Sequence, residues 1–306
     1  MRFRLLVLSF YFITIGNAQT PSPSSGTIRQ FANFSSVYVE PRTVDVWLPD
    51  DYSAKKKYAV LYMQDGKSLF DSNIVWNHQE WMADETIGRL LKEKKINNCI
   101  VVGIYNTETA RHLEYFPQKA FESLPKPQQD SLFKTNRSSG VAVFKENKLR
   151  SDNYLLFLTK ELKPFIDSSF STLKDRKHTF IGGSSMGGLI SLYAICEYPA
   201  VFGGAACIST HWPGIFTIDN NPIPGAIFEY LKWHLPDPKQ HQLYFDYGDA
   251  TLDALYPPLQ KQADQIIKAR GYNNKNWKTI YFPGADHSEK SWSKRFEQPL
   301  IFLLSK

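Results

Sequence analysis

The sequence predicts an α/β protein with a mostly parallel central sheet and helices on both faces. Two observations carry that expectation. Short apolar runs recur along the chain, each followed by a longer segment with helical spacing, which is the pattern of β-α-β units. The runs at residues 58–63 (YAVLYM) and 99–105 (CIVVGIY) are also apolar throughout, as strands covered on both faces must be. Residues 43–48 (TVDVWL) alternate instead and read as a half-exposed strand. Further strand-like runs lie at residues 178–182, 203–208, 242–247 and 277–282. Helical spacing appears at residues 80–92, 151–167, 186–198, 222–233, 257–270 and 288–304. Residues 107–150 break the rhythm with prolines and charges. They are expected to run as a long excursion over the carboxyl ends of the strands, where loops tend to carry function.

Composition narrows the class. Apolar residues make up 42% and charged residues 22% of the 306, ordinary values that exclude a disordered chain. The formal charge is +6, but the lysines are interspersed with acids and no basic run is interleaved with aromatics, so no nucleic-acid partner is expected. Cys99, Cys196 and Cys207 all sit in apolar runs. They are expected as buried free thiols. No Cys/His spacing suggests a zinc site, and neither metal nor cofactor is expected. At the amino terminus, Arg2 and Arg4 precede an apolar run and then the small residues Gly16 and Ala18. Residues 1–18 therefore read as a signal peptide, too short to span a bilayer core of about 30 Å. The expectation is an exported chain, periplasmic or secreted, with no stable membrane span, beginning at Gln19; the N-terminal mass of an exported fraction would check it. Residues 19–36 are expected as a linker and residues 37–306 as one domain.

The chemistry is concentrated in Gly183-Ser184-Ser185-Met186-Gly187. The pattern G-x-S-x-G follows a strand-like run and opens a helical one, the strand–turn–helix context of a nucleophile elbow. Such a turn lifts the serine above the sheet, and the N–H of the next residue, Met186, points toward a developing oxyanion. An α/β-hydrolase supplies the partners in the order Ser, then Asp or Glu, then His. His287 follows the last strand-like run, where that histidine belongs. The acid should follow residues 242–247, and Asp246, Asp249 and Asp253 all stand there; Asp246 is explained by strand alternation and Asp249 by turn preference, which leaves Asp253 favoured over Asp249. The loop Gln64-Asp65-Gly66-Lys67 should give a second oxyanion donor through the Lys67 N–H, with Asp65 as a turn cap. Arg111, Glu114 and Tyr115 from the excursion, with His211 and Trp212 after residues 203–208, should overhang Ser185 and offer hydrogen bonds and aromatic faces to a substrate.

Taken together, Met63-Gln64-Asp65-Gly66 with Phe70-Asp71, the Ser185 pentapeptide, and the run from Pro283 through Asp286, His287 and Ser288 to Glu289 resemble the putative-esterase family. That family includes esterase D-like, feruloyl-esterase-like and enterochelin-esterase-like α/β-hydrolases. Arg111-His112-Leu113-Glu114-Tyr115 is similar to the family's Arg…Glu-Tyr segment. The resemblance runs over residues 39–304 and implies that Ser185 and His287 are catalytic and that Met186 helps form the oxyanion hole. The family often has a short Gly-Thr-x-x-Asp turn; here residues 248–253 (GDATLD) are longer. The expected function is cleavage of carboxylic esters through an acyl-enzyme, on short-acyl or aromatic esters of polar alcohols such as sugars or siderophores, with no cofactor. An acyltransferase on the same fold and a non-catalytic binding protein are the alternatives. Transfer to an added sugar alcohol would mark the first, and failure to label with a fluorophosphonate the second.

Overall fold

Apolar strands that alternate with amphipathic helices assemble here into one eight-stranded sheet. The computed structural model describes residues 19–107 and 109–305; the expected signal peptide lies outside the described residues. The strands are β1 (Thr27–Phe34), β2 (Arg42–Leu48), β3 (Ala59–Gln64), β4 (Cys99–Ile104), β5 (Thr179–Ser184), β6 (Gly204–Ile208), β7 (Gln242–Tyr247) and β8 (Trp277–Tyr281). Their spatial order is β1-β2-β4-β3-β5-β6-β7-β8. The six from β4 to β8 in that order are parallel, while β2 runs antiparallel to β4 and β1 to β2. The α/β architecture matches the expectation. One strand does not: β1 forms inside the segment expected as linker. It is an edge strand with an irregular register between Phe31 and Phe34, and its polar and apolar residues do not alternate regularly, so it lacks the period-2 pattern that marks a strand. It is held by Phe31 and Phe34, which meet Phe165 edge-on at ring separations of 4.9 and 5.1 Å.

The sheet separates two apolar layers. Val44, Tyr62, Val102, Ile181 and Phe245 face the larger one, against the helices Met186–Glu197, Ile223–His234 and Pro257–Ala269. Trp47, Leu61, Val101, Phe180 and Tyr244 face the other, against Ala83–Lys92 and Glu297–Leu304. Two expected helices are interrupted. Residues 151–167 fall on a continuous helical stretch whose middle, Phe157–Leu162, opens to π geometry, just before Pro164, which has no N–H to give the preceding turn. Residues 288–304 divide into Glu289–Ser293 and Glu297–Leu304; Arg295 sits in the break. The three cysteines are buried and free, and burial pushes the Cys99 thiol up to about 12. Among the described residues, no helix is long and apolar enough to cross a membrane.

Because chain order runs outward from β3 to β4 and then returns to β5 on the other side of β3, the loops leaving β3 and β5 diverge. A crevice at the carboxyl ends of the strands is the consequence, and it is where α/β sheets place ligands. The excursion 107–150 leaves β4 beside that crevice as the short helices Arg111–Tyr115, Gln118–Glu122 and Lys126–Phe133. It is anchored by Glu114, whose two carboxylate oxygens each accept a 2.8 Å bond from the Arg42 guanidinium of β2; both side chains are 1% exposed. Glu114→Ala would leave that guanidinium buried and unpaired. The expected loss is roughly 3–5 kcal/mol in the free energy of unfolding, read from denaturant midpoints. A loss below about 1 kcal/mol would mean that Arg42 had found water or another acceptor.

Candidate active site

Ser185 follows β5 at φ 58° and ψ −124°, a conformation costly for any residue with a side chain, and stands at the N-cap of the helix Met186–Glu197. Its backbone is held on three sides. The N–H donates to the Ile208 carbonyl (2.9 Å), and the carbonyl accepts from Leu189 (3.1 Å) and His211 (3.2 Å). The end of β3 presses against this turn: a Cβ on Gly183 would stand 2.8 Å from the Gln64 Cβ, and one on Gly187 3.0 Å from it. Side chains at either position would push the strands apart. Met186 is the first helical residue, so its N–H has no acceptor within the helix.

His287 lies in the loop after β8, with Nδ1 2.6 Å from Oδ1 of Asp253. Asp253 sits on the 3-10 turn Thr251–Leu255 after β7 and is fully buried. Its second oxygen accepts from the Gly248 N–H (2.8 Å) and the Ser209 hydroxyl (2.5 Å). Of the three aspartates left open by the sequence, Asp253 is therefore the one that meets the histidine. Asp249 instead fastens the neighbouring turn, accepting from the Tyr281 hydroxyl and from the Gly284 N–H (2.7 Å); these donors hold its carboxyl below the usual range. Gly248 lets the two loops meet: a Cβ there would fall 2.0 Å from the Ala285 carbonyl oxygen. Asp246 is buried inside β7 beside Arg295, at 3.0 Å.

Tyr256 stands between Ser185 and His287. The Tyr256 hydroxyl lies 2.8 Å from Nδ1 of His211 and close to the Ser185 side chain. Its ring meets the His287 ring edge-on at 5.8 Å, and Trp292 does the same at 5.0 Å. Burial, then the charge of His287, drives the His211 pKa far below the ordinary imidazole range, so His211 stays neutral. Tyr256 follows Asp253 by three residues, on the same turn, but a lone tyrosine at a helix start gave no signal. Ser209, Trp292 and Arg295 gave none either, since their common partner is remote in sequence.

The expected mouth residues divide. Arg111 is 31% exposed and donates through Nε (2.8 Å) and Nη2 (2.7 Å) to the two carboxylate oxygens of Asp65, where Asn106 also donates (2.6 Å). Asp65 is thus an ion-pair partner rather than the expected turn cap, its backbone left-handed at φ 57°. It is close to the elbow, with Oδ2 3.2 Å from where a Cβ on Gly187 would lie. Lys67, two residues further along, is the exposed member of the 3-10 turn Gly66–Ser68. Tyr115 is buried, its ring 5.2 Å from the Arg111 guanidinium carbon and its hydroxyl accepting from the Asp65 N–H at 3.4 Å. Two expected residues face elsewhere. Glu114 is committed to Arg42, as above. Trp212 is fully buried, stacked on Phe245 at 6.1 Å with its Nε1 donating to Gln260; the indole belongs to the core.

The family model described as "Putative esterase" matches residues 35–303. The chain belongs to this family. A curated relative of this esterase-family chain, the uncharacterized protein YbbA of Bacillus subtilis (strain 168), is 23% identical over 270 residues, 87% of this chain and 93% of that one. Among solved structures, a ferulic acid esterase superposes with a TM-score of 0.64 at 19% identity, over 91% of this chain and 98% of its own. An IroE-like serine hydrolase from Shewanella oneidensis gives 0.61 at 19% identity, over 90% of this chain and 79% of its own. At these identities the likeness establishes the α/β-hydrolase fold.

The backbone strain at Ser185 has its own consequence. Glycine adopts such positive-φ conformations without a Cβ penalty. Ser185→Gly is therefore expected to raise the free energy of unfolding by about 1 kcal/mol, whereas Ser184→Gly, inside β5, should lower it. Paired denaturation curves check this, and a destabilised Ser185→Gly would show that no strain is stored there.

Proposed function

We propose that the chain hydrolyses carboxylic esters through an acyl-enzyme on Ser185. The observation that carries the reading is the half-buried Asp253–His287 hydrogen bond, 2.6 Å long, with Tyr256 standing between the His287 ring and the strained elbow at Ser185. In this reading Asp253 fixes the His287 tautomer with Nδ1 protonated, which leaves Nε2 as the base. Ser185 Oγ attacks the carbonyl carbon as His287 takes its proton. The carbonyl oxygen, now an oxyanion, is received by the Met186 and Lys67 N–H groups. As the carbon–oxygen bond to the leaving alcohol breaks, His287 returns the proton to that alcohol, and water repeats the sequence to release the acid. Similarity to ferulic acid esterase and serine hydrolase structures supports the reaction class. Ser185→Ala should abolish turnover of an aryl acetate and fluorophosphonate labelling alike, whereas Ser184→Ala keeps both. Asp253→Asn should cost up to about 10⁴-fold in kcat; Asp249→Asn should cost chiefly stability. If Asp249→Asn proved the more damaging to kcat, the assignment of the acid would fall.

For the substrate we propose a short-acyl or aromatic ester of a polar alcohol. The support is the character of the groups beside the elbow: the Arg111–Asp65 pair and Asn106 offer charge and hydrogen bonds, whereas a lipase cleft requires a broad apolar wall. Arg111→Lys keeps a cation beside Asp65 but loses the planar fork. It should lower kcat/KM for an acetylated or feruloylated sugar by about tenfold, the worth of one well-placed hydrogen bond, and leave a minimal aryl acetate nearly unaffected. Equal losses on the two substrates, or a preference for long-chain lipid esters, would exclude this specificity.

A further inference from the structure

Behind Asp253 lies a buried charge cluster that the proposed reaction does not itself use. Ser209, which ends the run after β6, is held at φ 42° with its N–H on the Asp246 carbonyl (2.8 Å). Its hydroxyl donates to Asp253 Oδ2 (2.5 Å) and accepts from Arg295 Nη2 (2.7 Å) and Trp292 Nε1 (3.1 Å). The same guanidinium places Nε 3.0 Å from Oδ1 of Asp246, and its Nη2 is 3.9 Å from Asp253 Oδ2. The side chains of Asp246 and Asp253 are fully buried and that of Arg295 is 3% exposed. The Nε–Oδ1 approach lacks the alignment of a hydrogen bond, and among the described residues Arg295 Nε and Nη1 find no other partner. The guanidinium is thus shared between two carboxylates and committed fully to neither.

Charge counting gives this arrangement its consequence. Two buried carboxylates against one guanidinium leave one net negative charge directly behind His287, and an imidazolium on His287 closes the balance. Resting on the reading of Ser185, His287 and Asp253 as a triad, we infer that Arg295 and Asp246, joined to Asp253 through Ser209, are positioning residues that set the basicity of His287. The strained backbone of Ser209 fits a bridge held in place for the carboxylate it serves. Around Asp246 the other titratable groups are the Tyr244 hydroxyl, which donates at 3.0 Å, Asp253 and the Cys207 thiol. Around Asp253 and His287 they include Tyr256, the neutral His211 and Asp286, which adjoins His287 in the chain and whose carboxylate accepts from the Ser288 and Ser291 hydroxyls. Burial raises the Asp246 carboxyl to about 6, against the pull of Arg295. Above that pH Asp246 is ionised and supports the imidazolium; below it the support is withdrawn.

The sign follows. Asp246→Asn removes one negative charge from behind His287, so the imidazolium forms less readily and the acid limb of kcat/KM for an aryl acetate moves to lower pH. A displacement of about half a unit or more is expected for a charge within a buried cluster. Adding Arg295→Gln to that variant removes the guanidinium with no second buried acid left to take up a proton, and the limb should move back up by a similar amount. Arg295→Lys, which keeps a cation in place, should hold the limb near the parent's position while lowering kcat. A purely structural role would lower turnover without moving the limb. The inference is overturned if the Asp246→Asn limb coincides with the parent's, if the double variant fails to move it back, or if Arg295→Lys displaces it as far as the charge deletions do. Each folded variant answers separately, and thermal unfolding identifies any that does not fold. Fluorophosphonate labelling reports on the triad itself: a protein that labels at Ser185 but whose limb ignores Asp246 refutes this inference alone, and one that does not label refutes the reading beneath it.

Discussion

The site depends on a carboxylate with no access to water. Asp253 is fully buried, and a charge in that position persists only where every lone pair has a donor. The chain meets the demand from four places: the Gly248 N–H on the same turn, the Ser209 hydroxyl from the end of β6, the His287 ring from beyond β8, and the guanidinium of Arg295 at longer range. Each donor comes from the carboxyl end of a strand or from the helical segment that follows the last one. Their convergence needs β6, β7 and β8 side by side in parallel register. Sheet topology and site chemistry are therefore one constraint. A shift of register between β6 and β7 would carry Ser209 away from Asp253 and leave a buried charge half satisfied.

The same economy of space governs the elbow. The turn at Ser185 is strained, and strain persists only where the surroundings over-determine it. Here β3 supplies the pressure through Gln64, whose side chain fills the room that a Cβ on Gly183 or Gly187 would need. Gln64 Oε1 is in turn fixed by the Tyr154 hydroxyl. The carboxyl end of β3 thus braces the serine and, one residue later, delivers Asp65 to Arg111. The crevice between β3 and β5 is built by the chain's reversal there and needs no separate device.

What the sequence made legible follows from this physics. Strands covered on both faces are apolar throughout, so β3 and β4 stood out; β1, at the edge and partly wet, carried no such mark. Ser185 and His287 were readable because each sits at a topologically fixed place, after β5 and after β8. Asp253 was harder to separate from Asp249 because two carboxylates four residues apart after one strand differ only in which way the intervening turn faces. Arg295 and Tyr256 were invisible because their roles arise from packing across remote segments. Glu114 and Trp212 were misplaced for a related reason. Both lie in segments that do border the crevice, and sequence position alone does not tell an inward side chain from one turned to the core.

The placement of charge around the crevice separates two kinds of ion pair. Arg42–Glu114 and Arg295–Asp246 are sealed, and sealed pairs of this kind fix geometry more than they add stability. Arg111–Asp65 is half open, with the guanidinium 31% and the carboxylate 18% exposed, so its members keep the capacity to exchange one another for a third group at modest cost. Under the proposed function, recognition therefore falls to the half-open pair. In that proposal, a ligand hydroxyl or carboxylate entering the crevice would meet an arginine whose fork is already aligned by Asp65 and whose face is supported by the Tyr115 ring, so little conformational entropy would remain to be lost on binding. The sealed pair at Glu114 keeps the helix Arg111–Tyr115, and hence Arg111 itself, at the rim. The buried interaction supplies position, and the half-open one stays within reach of solvent.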